Sequence, residues 1–548
     1  MTIKRLPAVL GGKADVLSPI CIVGAGVAGL LMAHRIARSG RKVVVIESGE
    51  ELFDAEIHKL NQIEEAAPRY SRALTGRYRG LGGSSSRWGG RMIPVSAHES
   101  GDRSYISQAK WPFPVEQLAK YESDIERLFE TGSDSYEDIS KSAPRIAAAF
   151  PDLKASMTPR WAKCPTFKKC NIATVLMTDL KSMSSLEIWL GATVCDFEVD
   201  SASGRLTGLV AQSVNGRNLT VRAERFVVAA GTIESTRLLL LLKERTDGYA
   251  FRRSNVLGRY FQDHLKAEVA KIDRADATTT NRLFAHRFIK SVRRDLHLEL
   301  SKAAQTREGV SSAFAYVSMD LAGSPLQDIK NIAHGLQKRQ VAAADLWRVS
   351  RNIGLLARSA YWRVLNNQLF VPGDIDLRML ICVEQLPQWS NRITLGNGRD
   401  RFGLPKALLE WAPTETDERT FRAAVSHLDA YWRHAGFDRT CPLIWMNGIR
   451  DASSAIIDRS EACAHPSGST RMGTNPAESV VGPDLSCHDV PNLSVLSASV
   501  FPTAGSANPT FTIMKLACWL ADSYLGTVKQ SERVVVPARM TKAAAMGV

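Results

Sequence analysis

The sequence predicts an α/β protein that opens on a dinucleotide-binding β-α-β unit, repeats the strand–turn–helix pattern later, and holds an α+β region between. Three observations carry that prediction. Near the N-terminus an apolar strand runs straight into a glycine turn, a helix and a second apolar strand. Residues 225–242 repeat a strand–turn–helix pattern, and residues 493–525 do so again. Between these, from Lys266 to Arg450, longer strands and helices alternate without any dinucleotide motif.

Residues 1–18 read as an irregular lead-in. Pro19–Val23 is a short strand, and Gly24, Gly26 and Gly29 form the turn. A helix carrying Leu30, Leu31, Ala33, Ile36 and Ala37 ends at Gly40, and Lys42–Ile46 is a buried parallel strand. Glycines at this spacing permit a tight turn and close approach of a pyrophosphate to the helix N-terminus. Glu47 stands at the end of the second strand, where an acid meets ribose hydroxyls. Its charge would repel a 2′-phosphate and disfavours NADP. This unit alone leaves FAD and NAD both open.

The next landmark, Gly80–Arg91, is rich in glycine and serine and holds Gly83, Ser84, Arg87 and Trp88. Such backbone can pass close to a flat or charged ligand. Val115–Phe129 reads as an amphipathic helix. Strands over 184–199, 206–212 and 219–221 form a meander, residues 225–230 return as a buried strand, and Gly231 opens a leucine-rich helix. Residues 379–383 and 391–395 read as central strands of a substrate domain; Glu384 and Gln385 at a strand end have two readings, a plain edge position or one facing a substrate. His427, Asp429 and His434 lie on one helix as surface residues, and no ligand set points to a metal.

The C-terminal stretch is the most specific. A polar turn carries His465-Pro466-Ser467-Gly468, an apolar run follows over 493–500, and Asn508-Pro509 starts the last helix. Proline at the first helical position after asparagine is a strong helix start. The N–H groups and partial positive charge of such a terminus suit an anion. Asn508 has two readings, a cap of its own helix or a hydrogen-bonding partner for a ligand.

These two motifs, in this order, resemble the C-terminal signature of the glucose–methanol–choline (GMC) flavoprotein oxidoreductases, and the wording VFPTAGSANPTFT resembles their pyranose-oxidase-like bacterial branch. The resemblance implies FAD as cofactor, His465 and Asn508 as the catalytic pair, and a last helix aimed at the flavin pyrimidine ring. It further implies cofactor contacts from Gly24, Gly26, Gly29, Glu47, Gly83, Ser84, Trp88, Val194, Ala230, Gly231, Ser499, Pro509 and Thr510. Several relatives attach FAD covalently through a histidine of the glycine-rich loop. No histidine occurs between Arg69 and Ile93, and Arg87 stands at the aligned place, which implies non-covalent FAD. His264, in a segment where the resemblance has the chain leaving the cofactor domain, is read as a structural hydrogen-bonding residue.

Composition adds the setting. The 548 residues carry a formal net charge of +14, and nine scattered cysteines show neither metal-ligand nor paired disulfide spacing. The cysteines fit a reducing compartment, and no secretory signal or membrane-spanning run is visible, so the expectation is a cytoplasmic protein. Basic residues concentrate over 282–294 and 330–363. The second run reads as a solvated helix face over a buried apolar stripe, against the sharper reading of a membrane-surface or partner-binding helix pair. Nucleic-acid binding is disfavoured, because no recognition motif accompanies the charge.

The expected fold is a discontinuous Rossmann-type FAD-binding domain (1–100, 186–265 and 461–530), a connecting, flavin-covering segment (101–185), a substrate-binding domain on an antiparallel sheet (266–460) and a tail (531–548). The expected function is FAD-dependent oxidation of an alcohol to a carbonyl by hydride transfer to flavin N5. A ring secondary hydroxyl of a sugar or glycoside is the first choice of substrate, with oxygen or another electron acceptor reoxidising the flavin. A non-sugar alcohol, a flavin-containing lyase of the same fold and a non-catalytic membrane- or partner-bound module stay open as alternatives, as does oligomerisation.

Overall fold

A computed structural model describes residues 3–66, 70–107, 110–322, 324–338 and 341–526; the tail 531–548 and Arg339 lie outside the described residues. The first sheet is built on β1 (Ile3–Arg5), β2 (Lys13–Val23), β3 (Val43–Ile46), β4 (Leu186–Leu190), β5 (Thr193–Asp200), β6 (Arg205–Gln212) and β7 (Asn218–Val228), in the order β1-β4-β3-β2-β7-β6-β5. All pairs from β1 to β7 are parallel, and the β5–β6–β7 meander is antiparallel. All four residues of β3 are buried, as an apolar run covered on both faces requires. Strand Leu493–Val495 pairs in parallel with the C-terminal end of β7, so the last motif joins the same sheet as the first.

Two expectations are corrected here. Residues 1–18 are not an irregular lead-in, because β2 begins at Lys13 and pairs with β7 along its whole length. The stretches 219–221 and 225–230 belong to one strand for the same reason. Their polar residues sit on the exposed half of the pair, where no apolar pattern marks a strand.

Helix α1 (Val27–Arg38) and α2 (Thr232–Arg245) follow β2 and β7 directly. The C-terminal helix (Pro509–Leu525) packs beside α1, and Arg35 Nε donates to Asp522 Oδ1 at 2.6 Å across them. Residues 115–129 form a tight 3₁₀ stretch, Val115–Tyr121, that becomes α-helical only over Glu122–Phe129.

The second sheet is antiparallel, with β8 (His264–Ile272), β9 (Val292–Leu300), β10 (Ala313–Met319) and β11 (Leu377–Glu384) in the order β9-β10-β11-β8. Side chains alternate between its faces. Leu298, Ala315, Ile381 and Val383 bury with Phe421 and Leu428 of the helix Glu415–His434 in one apolar core. On the opposite face Phe314, Tyr316, Cys382 and Lys266 line a cavity shared with His465. Residues 391–395 are not central strands of this sheet; Arg392–Arg399 pairs with Pro405–Glu410 in a separate three-stranded sheet.

Glu384 and Gln385 are fully buried and do not face a substrate. Arg103 Nη1 and Nη2 donate to Glu384 Oε2 and Oε1 at 2.7 and 2.8 Å, and Gly505 N donates to Oε1 at 3.0 Å. Gln385 accepts from Trp411 Nε1 at 2.7 Å. Glu384, held by Arg103, therefore bolts the loop before the C-terminal helix to the second sheet. Glu384→Gln strands a buried guanidinium, and we expect a loss of about 3–5 kcal/mol of stability, read from denaturant midpoints; a loss within experimental error of zero would contradict the bolt.

The basic run over 330–363 lies in three short helices, α3 (Pro325–Lys338), α4 (Ala343–Ser350) and α5 (Ile353–Leu365). The expected apolar stripe is met only in part: α3 buries Leu326 and Leu355 of α5 packs half-buried on the core, while no residue of α4 or α5 is fully buried. The run over 282–294 differs, with Arg293 and Arg294 pairing with Asp295 and Asp134. Among the described residues no helix is long and apolar enough to cross a membrane.

Candidate active site

The glycine turn divides its labour. A Cβ at Gly24 would stand 2.6 Å from Ala229 O, and one at Gly29 would stand 2.0 Å from Gly24 O, so both glycines serve close packing of backbone. A Cβ at Gly26, the N-cap of α1, would meet nothing within 4 Å. It opens into a long cleft that runs from Glu47 and the glycine turn to His465 and Pro509. The N-terminal residues of three helices line this cleft: Gly26 and Val27, Gly231 and Thr232, and Pro509 and Thr510. Their unpaired N–H groups favour anionic groups. An extended dinucleotide carrying a diphosphate, such as FAD, fits this donor set and this length.

Glu47 lines the cleft, and its carboxylate is buried. Oε2 accepts from Ala25 N at 2.9 Å, and Oε1 accepts from Gly49 N at 2.9 Å and Gly80 N at 3.0 Å. Burial raises its pKa while the three amides oppose that rise. Glu47 thus staples the glycine turn to the glycine-rich loop, a task the sequence did not reveal, and a carboxylate has lone pairs left for a ligand hydroxyl.

Gly83, Ser84, Trp88, Val194, Ala230, Gly231, Pro509 and Thr510 also line the cleft. Ser499 is not among its lining residues. Its hydroxyl is buried and takes a hydrogen bond from Thr470 Oγ1 at 2.6 Å, beside Ser497 Oγ at 2.6 Å. Arg87 lies over the rings of Tyr78 and Phe53, at 4.2 and 4.9 Å from their centroids. Sequence reading missed Tyr78, Arg77 and Thr193 as lining residues, which carry no motif of their own.

Trp88, His465 and Thr510 also line a second chamber, bounded on its far side by Arg91, Lys266, Phe314 and Tyr316. His465 enters it from a turn strapped to the start of β8. His465 N donates to Asp263 Oδ1 at 2.9 Å, Tyr70 Oη donates to Asp263 Oδ2 at 2.6 Å, and Cys463 N donates to His264 O at 2.9 Å. Burial pushes the Asp263 carboxyl up to about 7. At Gly468, φ is +69° and a Cβ would stand 2.1 Å from Tyr260 O, so no other residue fits this turn.

The imidazole of His465 rests on that of His264. The Nδ1 atoms are 2.8 Å apart, and His264 Nε2 lies 2.6 Å from Gly505 O. A carbonyl only accepts, so His264 carries its proton on Nε2. Burial lowers the pKa of His264 and keeps it neutral, which leaves its Nδ1 as an acceptor for His465 Nδ1–H. The lone pair of His465 is thereby directed from Nε2, 3.0 Å from Asn508 Nδ2. Burial, then the neighbouring His264, holds His465 well below its ordinary value of 6.5.

Asn508 makes no side-chain cap to its own helix. Its Oδ1 is buried without a hydrogen-bond partner. The capping reading is therefore set aside. Among the described residues no group of three or more metal-ligating side chains occurs.

A family profile described as GMC oxidoreductase matches residues 387–517, and one described as an NAD(P)-binding Rossmann-like domain matches residues 22–63. The chain is similar to 2-methyl-1,2-propanediol dehydrogenase of Mycolicibacterium austroafricanum, 22% identical over 92% of this chain and 94% of that protein. It is also similar to C-glycoside 3-oxidase of Arthrobacter globiformis, 30% identical over 27% of this chain and 26% of that protein. Among solved structures, pyridoxine 4-oxidase from "Mesorbium loti" superposes with a TM-score of 0.56 at 16% identity, over 93% of this chain and 99% of that one, a likeness of fold. The glycine turn, the H-x-x-G turn and the Asn508–Pro509 helix start are thus joined on one cleft, and residues 387–517 carry the C-terminal domain of the GMC oxidoreductases.

Proposed function

We propose that this enzyme oxidises an alcohol with non-covalently bound FAD, that His465 is the general base, and that Asn508 orients the hydroxyl. The observation that supports this most is the pairing of His465 Nε2 with Asn508 Nδ2, whose amide oxygen is buried without a partner, in a chamber continuous with the cofactor cleft. The flavin, when bound, supplies the hydride acceptor. In the structure Asn508 Nδ2 donates to His465 Nε2 at 3.0 Å; a substrate hydroxyl takes the place of that bond, donating to Nε2 while accepting from Nδ2. Because His465 is neutral around pH 7, it takes that proton without first losing one. His264 holds the ring so that Nε2 remains the acceptor throughout. The N-terminus of the C-terminal helix favours negative charge at the Pro509 end of the cleft.

The substrate class we favour is a sugar or glycoside, oxidised at a ring secondary hydroxyl. The chamber supports it with aromatic surfaces on Phe314 and Tyr316 for the C–H face of a ring, and with polar groups on Arg91 and Lys266 for its hydroxyls. The relative acting on a glycoside supports the same reading. A small non-sugar alcohol is the second reading, favoured by the propanediol relative that matches over nearly the whole chain. Mixing the oxygen-free holoenzyme with a panel of sugars, glycosides and simple alcohols separates these, because a true substrate bleaches the flavin absorbance. Bleaching by no alcohol at all would sink the oxidation reading and leave the lyase alternative.

The non-covalent reading predicts that acid or heat precipitation leaves all the flavin in the supernatant. Colour that stays with the denatured polypeptide would contradict it.

A further inference from the structure

Of nineteen exposed large apolar side chains among the described residues, nine fall between Leu336 and Leu365. On α5, Ile353, Tyr361 and Val364 recur at helical spacing on one side, exposed by 73, 58 and 74%. Ala357 and Ala360, on the same side, are exposed too. On α4, Leu346 and Trp347 are likewise exposed. Leu355 packs inward on the core, yet α4 and α5 carry a second apolar side outward, which a helix that only packs on a core lacks.

The charge on this face is one-sided. The only acids of residues 325–367 are Asp328 and Asp345, and both pair with Arg348. Lys330, Lys338, Arg351, Arg358 and Arg363 form no ion pair among the described residues. Arg351 lies over the Trp347 ring, 4.7 Å from its centroid.

We propose, beyond the oxidation chemistry, that helices α3–α5 dock this face on an anionic lipid bilayer. Outward apolar and aromatic side chains flanked by unpaired arginine and lysine are what a helix lying in a membrane interface presents. The 13 residues of α5 reach about 20 Å, short of the roughly 30 Å hydrocarbon core, so the helix lies on the bilayer and does not cross it. A second copy of the chain would bring two such positive faces together, which their charge opposes. The face is held to the body of the enzyme by Gln337, whose Nε2 donates to Ser85 O and Trp88 O at 3.0 Å each. Docking therefore places the bilayer beside the loop that lines the site.

The test is co-sedimentation of the holoenzyme with phosphatidylcholine vesicles containing about one-third phosphatidylglycerol, against phosphatidylcholine alone. Binding is expected to the anionic vesicles only and to weaken as salt rises. Two double variants, Trp347→Ser with Val364→Ser and Arg351→Glu with Arg358→Glu, are each expected to lower partitioning by at least about tenfold. Flavin content and the rate on a water-soluble alcohol should not change. Failure to bind anionic vesicles, equal binding to neutral ones, or unaltered binding in both variants would overturn the proposal. So would a dimer in solution that the apolar variant dissolves while the wild type ignores vesicles.

Discussion

Gly26→Asp is expected to purify as a folded, colourless protein. The backbone at Gly26 (φ −76°, ψ −173°) is one any residue adopts, and a side chain there meets no protein atom within 4 Å. Aspartate is also a good N-cap, so its carboxylate would take the α1 amides that a diphosphate needs while adding like charge beside it. Fold and cofactor binding should thus separate cleanly, with thermal unfolding still cooperative and flavin per polypeptide near zero. Stoichiometric FAD in that variant would show that the first glycine turn is not the cofactor's seat.

His465→Ala is expected to keep FAD but to slow anaerobic flavin reduction by about 10²–10⁴-fold, the range for removal of a general base. Asn508→Ala should slow the same step less, because it removes an orienting hydrogen bond and leaves the proton acceptor in place. Asn508 does not cap its helix, so the stability lost should be only that of its hydrogen bond to His465, about 0.5–1.5 kcal/mol. A loss well above that range would contradict the geometry around Asn508.

Much of this site was legible because its parts are local. The glycine turn, the H-x-x-G turn and the Asn508–Pro509 start each declare themselves within a few residues. What escaped depends on partners far along the chain. The N-terminal half of β2 carries Lys13, Asp15 and Ser18, and only its pairing with β7, two hundred residues on, makes it a strand. Arg91, Lys266 and Tyr316 come together because three segments present the same side to one chamber. The alternation of Phe314 and Tyr316 with Ala313, Ala315 and Val317 was the available signal. His264 was read correctly as a hydrogen-bonding residue, but its partner His465 is too distant in sequence to name. Periodicity found the amphipathic helices over 330–363; it carries no information on which side faces the protein.

The pH dependence of anaerobic flavin reduction at saturating alcohol, in wild type and His465→Ala, tests the central claim most directly. The active form of His465 is the neutral one, and burial holds its pKa well below 6.5. The wild-type rate should therefore stay level through neutral pH and fall only in acid below about 6.5, as the imidazole gains its proton. Asp263, lifted to about 7, is present in both proteins, so the comparison removes its contribution. In His465→Ala the residual rate should lack the acid limb seen in wild type. The same acid limb in both proteins, or a near wild-type rate in the variant, would contradict the assignment of His465 as the base.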